Sequence, residues 1–174
     1  TFFDPAMQTL LIQRAALEVS LRRAIDEHQF LVHYQAQVVD AGRVTGAEAL
    51  VRWQHPEWGM VPPADFIGLA EETGLILPLG QWVLQAACEQ LTRWALRPET
   101  AHLTLAVNVS ARQLREPDCV AQILRTLQRT GASPALLRLE DRDCPRWPDP
   151  RADSTVHCQI PKASPSPHRP EAHP

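Results

Sequence analysis

From Pro5 to about His28, apolar residues recur at three- to four-residue spacing: Leu10, Leu17, Leu21, Ala24 and Ile25, with Arg22 and Arg23 between them. That spacing predicts an amphipathic helix, and Pro5 suits its first turn, where an N–H has no acceptor anyway. The period then changes. Phe30 to Val39 and Val44 to Trp53 are apolar and β-branched, separated by Asp40-Ala41-Gly42-Arg43, which predicts two strands forming a hairpin. Gln54 to Pro62 contains Pro56, Gly59 and Pro62 and predicts a loop. Pro63 to Glu72 predicts a helix with Phe66, Ile67 and Ala70 on one face and Gly74 as its stop. A further helix is expected from Pro78 to just before Pro98. Its wide stripe of Leu79, Val83, Ala86, Ala87, Gln90, Leu91 and Trp94 predicts packing on a sheet. Leu103 to Val109 predicts a strand, with Ser110 placed to cap a helix after it. Pro117 to Thr130 predicts a helix with Val120, Ile123, Leu124 and Leu127 inward and Gly131 closing it. Leu136, Leu137 and Leu139 predict a short last strand ending at Glu140. From Val44 onward strands alternate with helices, which implies a parallel α/β architecture.

The pattern stops at Asp141. Residues 141–174 hold 8 of the 16 prolines, no glycine and only 8 hydrophobic residues, so this stretch is expected to be a disordered tail. The whole chain, 174 residues at 44% hydrophobic, is long enough for one domain with a substantial core. A net charge of -3 argues against binding nucleic acid or a membrane surface through bulk charge. No apolar run approaches the ~20 residues of a membrane span, and no signal peptide is expected at the start. Cys88, Cys119, Cys144 and Cys158 show no zinc spacing and read as reduced thiols of a cytoplasmic protein, the first two as packing on helices.

Chemistry enters at Ala47-Glu48-Ala49-Leu50-Val51-Arg52-Trp53. Glu48 is a carboxylate in an apolar run, where an unpaired buried charge is expensive. Arg52 is the nearest cation in sequence, but four residues of extended strand separate the two by about 13 Å. A metal ion is the better partner for Glu48, leaving Arg52 for an anion such as phosphate. The seven residues alone fit equally well a strand end with two surface charges. Tyr34-Gln35 and Val38-Val39 lie upstream; Pro63, Phe66-Ile67, Ala70-Glu71 and Gly74, then Val107-Asn108-Val109-Ser110, lie downstream. In this order and spacing the chain resembles the EAL domain family of cyclic di-GMP phosphodiesterases, named for Glu-Ala-Leu, here Glu48-Ala49-Leu50. The resemblance runs from about residue 20 to Glu140. Residues 1–19 resemble the end of a GGDEF domain and its connecting helix.

The resemblance implies a partial TIM-like (β/α) barrel of about four strands over residues 20–140, with its first strand antiparallel to the rest. It implies Mg²⁺ or Mn²⁺ held at strand ends by Glu48, Asn108 and Glu140, and cyclic di-GMP contacted by Gln35, Leu50 and Arg52. The implied reaction is hydrolysis to linear pGpG by metal-activated water. Taken alone, Asn108 would equally be a helix cap and Glu140 a surface acid, while Glu71 and Glu72 read as a solvated helix end.

The chain departs from the family pattern after Glu140. Asp141-Arg142-Asp143 stands where the family has Ile or Leu, then Thr-Glu. No adjacent Asp pair, no glycine and no late Glu in family context can be placed further on, and the single lysine, Lys162, lies in a Pro-Ser tract. Sixteen arginines against that one lysine suggest a GC-rich coding sequence, of which the tail reads as an out-of-frame translation. The expectation is a fragment without phosphodiesterase activity. The alternatives are a cyclic di-GMP receptor working through Gln35 and Arg52, or an interaction module acting through its helices. Four strands cannot close a barrel. An open strand edge and uncovered inward strand faces then predict a chain that is molten, aggregated, or rescued by self-association of half-barrels.

Overall fold

The computed structural model describes residues 5–39 and 42–141. The hairpin comes first: β1 (Phe30–Val39) and β2 (Arg43–His55) pair antiparallel from Phe30 opposite Trp53 to Val39 opposite Arg43, with a bulge between Gln37 and Val38. Residues 40 and 41 of the expected turn lie outside the described residues; Gly42, at φ 80°, occupies the left-handed region that glycine enters freely. β2 then pairs in parallel with β4 (Thr104–Val109), and β4 in parallel with β5 (Leu137–Asp141), giving the order β1-β2-β4-β5. Parallel neighbours need crossovers, supplied here by α2 (Pro63–Thr73) and α3 (Ile76–Ala95), then by α4 (Ala111–Leu114) and α5 (Cys119–Thr130). The expected partial TIM-like barrel, its antiparallel first strand and its alternating order are all present.

Strand alternation sorts the side chains. Phe30, Ala47, Ala49, Trp53, Leu105, Val107, Val109, Leu137 and Leu139 point to the helices and are buried. Trp53 is 0% exposed and centres an aromatic cluster, its ring 5.9 Å from Phe30, 5.6 Å from Phe66 and 5.4 Å from His55. Against the helix layer lie Leu79, Val83, Leu84, Ala87, Cys88 and Leu91 of α3. Burial of Cys88 pushes its thiol up to about 11. Cys88 and Cys119 are free thiols on helices, as expected; Cys144 and Cys158 lie outside the described residues. So do residues 142–174, and with them the expected disorder of the tail. Asp141 itself belongs to β5, opposite Val109. α1 (Pro5–Asp26) is one continuous helix through residue 19, where the connecting segment was expected to end.

Five expectations need correction. The Gln54–Pro62 loop contains a short strand, β3 (Gly59–Val61), paired antiparallel with an extended β2. Its turn is set by His55, whose Nδ1 accepts the backbone N–H groups of Glu57 and Trp58 at 3.1 Å, and by Gly59 at φ 72°. α3 begins at Ile76, with Pro78 inside its first turn, where proline removes no helical hydrogen bond. Leu136 closes a 3₁₀ turn (Pro134–Leu136) before β5. On α5, Val120 and Leu124 are 61% and 40% exposed. The inward face is Ile123, Thr126 and Leu127. Thr126 takes a buried place because its hydroxyl accepts from Gln81 and donates to the Gln122 carbonyl, both at 2.9 Å. Finally, the inward strand face is not an apolar wall awaiting cover. It carries His33, Gln35, Glu48, Arg52, Thr104, Asn108, Arg138 and Glu140, with Leu31, Leu50 and Ala106 as its apolar members. A polar face tolerates water, so the apolar loss behind the molten-chain expectation is smaller than the strand count alone suggests.

Candidate functional site

The inward face is laid out in rows by strand register. Gln35 stands opposite Glu48, Glu48 opposite Ala106, and Ala106 opposite Arg138. One step toward the C-terminal ends of the parallel strands, His33 faces Leu50, and Asn108 faces Glu140. Arg52 lies one step further along β2, opposite Leu31. All six side chains singled out from sequence therefore share one face, with Asn108 and Glu140 at the C-terminal ends of their strands.

Two of them touch. Asn108 Nδ2 donates to Glu48 Oε1 at 2.6 Å, across sixty residues of sequence. This contact decides the reading of Asn108: it does not cap a helix. Ser110 does that, accepting from the Gln113 backbone N–H while Gln113 Oε1 accepts from the Ser110 N–H at 3.1 Å. The capping box starts α4 two residues past Asn108 and holds the end of β4 in place. Arg52, half-buried, donates from Nη1 to the Val51 carbonyl at 2.8 Å and joins no ion pair among the described residues. Gln35 is exposed beside Glu48, and Glu140 is half-buried beside Asn108.

Glu48, Leu50, Asn108, Ser110 and Gln113 also border a cavity of about 240 Å³ between the strand ends and α2 and α3. Glu71 lines it too and is half-buried, so only Glu72 matches the expected solvated helix end. Glu72 is ion-paired with Arg14 on α1. Arg138 was not singled out from sequence. It sits two residues before Glu140, and the period-two rule that puts Glu140 on the inward face puts Arg138 there as well.

The donor set can be tested against a hard cation. Among the described residues no group of three or more His, Cys, Asp or Glu side chains comes together. What the strands place together is Glu48 in contact with Asn108, and Glu140 opposite Asn108 on the next strand, two carboxylates and one amide that can offer oxygen. With Asn108 Nδ2 donating to Glu48, Asn108 Oδ1 is the atom that would face a cation. Such a set suits Mg²⁺ or Mn²⁺, which bind a few protein oxygens and complete their shells with water.

Known proteins share this architecture. The EAL domain family profile matches residues 18–142. The cyclic di-GMP phosphodiesterase PdeR of Escherichia coli is 42% identical over 126 residues, covering 72% of this chain and 19% of PdeR. The bifunctional diguanylate cyclase/cyclic di-GMP phosphodiesterase MucR of Pseudomonas aeruginosa is 39% identical over 140 residues, covering 80% of this chain and 20% of MucR. The solved PaMucR phosphodiesterase in complex with c-di-GMP is 40% identical with a TM-score of 0.69, covering 72% of this chain and 51% of that one. The FimX EAL domain of Pseudomonas aeruginosa bound to c-di-GMP, 24% identical with a TM-score of 0.63, shares the fold. The chain thus spans about a fifth of the length of the two curated relatives and about half of the solved PaMucR chain. With the profile match covering most of its length, and with the strand order and register described above, this chain belongs to the EAL domain family.

Proposed function

We propose that this chain carries the first part of a cyclic di-GMP phosphodiesterase site, and that the 174-residue chain does not hydrolyse the dinucleotide by itself. The observation that carries the reading is the Glu48–Asn108 contact, with Glu140 one strand away on the same face. Glu48, Asn108 and Glu140 would hold Mg²⁺ or Mn²⁺. When bound, such an ion supplies Lewis-acid polarisation of a phosphoryl oxygen and an acidified water. Arg52 offers a planar fork for a phosphate, Gln35 a neutral hydrogen-bonding group, and Leu50 an apolar contact. Cyclic di-GMP is the substrate this set implies, because PdeR and MucR are named for it and both align over the same stretch. We place the work in the cytoplasm; no described helix is long and apolar enough to cross a membrane.

Turnover needs more than this face provides. In-line hydrolysis requires a base or positioned hydroxide and stabilisation of the leaving oxygen. No Asp pair or lysine after Glu140 can be matched to the family pattern in this sequence. Loss of one such contact often costs a few kcal/mol in the transition state, and several together exceed the acceleration a partial site can give. The test has two arms. The purified chain is incubated with cyclic di-GMP and Mg²⁺ or Mn²⁺ and assayed for pGpG by chromatography; no release is expected. Mn²⁺ binding is followed by calorimetry in the chain and in Glu48→Gln, where affinity should fall. Metal-dependent pGpG release that Glu48→Gln abolishes would overturn the inactivity, and Mn²⁺ affinity indifferent to Glu48→Gln would overturn the ligand assignment.

A further inference from the structure

α1 has two apolar faces. One is docked: Leu21 and Ala24 are fully buried, and Leu17 and Ile25 pack against the core. The other is open. Leu11, Ile12 and Val19 are 63%, 62% and 69% exposed, and Ala15 and Ala16 between them are exposed as well. At about 100° per residue, Ile12, Ala15 and Val19 form one stripe on the side opposite the docked face, with Leu11 and Ala16 beside it.

We propose that this second face pairs with the same face of a second copy of the chain as a short parallel two-stranded coiled coil. Ile12 and Val19 take successive a positions and Ala15 the d position between them; β-branched residues at a favour two strands in parallel. Gln8 and Arg22 take the d positions on either side and limit the apolar stripe to this one heptad, and the charges beside it set the direction. Glu18 falls at g and Arg23 at e of the next heptad. In a parallel pair, g of one helix meets e five residues further along the other, so Glu18 would face Arg23 of the second copy, twice by symmetry. In an antiparallel pair, g meets g, and Glu18 would face Glu18. Within one chain these side chains hold only exposed partners, Glu18 with Arg22 at 3.4 Å and Arg23 with Glu27 at 2.5 Å. Exposed pairs of this kind contribute little, so exchanging them across an interface is nearly neutral.

Sedimentation velocity on the full chain tests this, with circular dichroism and thermal melts as controls for folding. The wild-type chain should show a monomer–dimer equilibrium. Ile12→Lys and Val19→Lys should each weaken it by about tenfold or more, with unchanged helix content, because both sites are exposed in the single chain. Glu18→Arg should weaken it, and Glu18→Arg with Arg23→Glu should restore it. Val19→Cys should form an inter-chain disulfide on mild oxidation much faster than the parent chain, since a positions face each other only in a parallel pair. That cross-link decides the matter if a lysine variant loses helix. A monomeric wild-type chain, whose face is then reserved for another polypeptide, would overturn the proposal. So would a dimer indifferent to both lysines, which would lie on another surface such as the β5 edge.

Discussion

Gly46 is where the spacing of the candidate site is most easily disturbed. It pairs with Thr104 at the start of the β2–β4 ladder, one residue pair before Ala47–Leu105 and two before Glu48–Ala106. A Cβ added there would lie 2.5 Å from both the carbonyl oxygen and Oγ1 of Thr104, and 3.2 Å from the carbonyl carbon. An unstrained carbon–oxygen contact is about 3.3 Å, so Gly46→Ala must part the two strands locally by roughly 0.8 Å. The hydroxyl can rotate away, but the carbonyl oxygen is backbone and cannot. Overpacking of this kind costs about 1–3 kcal/mol, or roughly 3–10 °C in Tm for a domain of this size. The displacement also reaches the Glu48–Asn108 contact two residues on, so Mn²⁺ affinity should fall with it. The same substitution at Gly68, in the exposed middle of α2 with nothing within 4 Å of the added atom, should act in the opposite direction. A helix-interior Gly→Ala there should stabilise by about 0.5–1 kcal/mol, raising Tm by roughly 1–4 °C. Calorimetric or dichroism melts of the two variants beside the parent chain make the comparison. If Gly46→Ala melted at or above the parent, the tight β2–β4 joint would be wrong, and with it the argument that register sets the site.

Two further predictions concern single groups. Asn108→Asp should place a second carboxylate against Glu48 across the present 2.6 Å contact, lowering Tm in chelator and regaining it as Mg²⁺ or Mn²⁺ is added; equal melts with and without metal would contradict a cation site there. Cys88, whose thiol burial lifts from 9.0 to about 11, should resist a thiol reagent at pH 8 in the folded chain and react on unfolding. The folded chain then binds more protons than the unfolded one between those values. The contribution is therefore fully present below about pH 9 and lost as pH rises through about 11; Cys88→Ala should flatten that decline in an alkaline melt series.

How much of this could be read from the chain depends on how far apart the interacting residues are. Local rules carried the elements. The change from period 3.6 to period 2 at Phe30, Gly74 at φ 83° and Gly131 at φ 73° as helix stops, and Ser110 as a cap each involve neighbours within about four residues. Where the outcome depends on a partner far along the chain, those rules gave the wrong side or no answer. Leu124 reads as core until Gln81, forty-five residues before Thr126, claims that hydroxyl and turns α5 accordingly. β3 needs His55 folded back onto two backbone N–H groups, which no propensity of Gly59-Met60-Val61 announces. The site shows both cases at once. Glu48 draws attention by itself, because a charge in an apolar strand demands a partner. That the partner reached first is Asn108, and that Arg138 stands level with Glu48 across a single small Ala106, are properties of register alone. Two strand spacings of about 4.8 Å separate Glu48 from Arg138 at the backbone. Arg138 thus puts a positive charge on the same face as the carboxylate that the proposed cation needs, two strands away. It opposes that cation weakly while the face is open to water and salt, and more strongly once the face is covered.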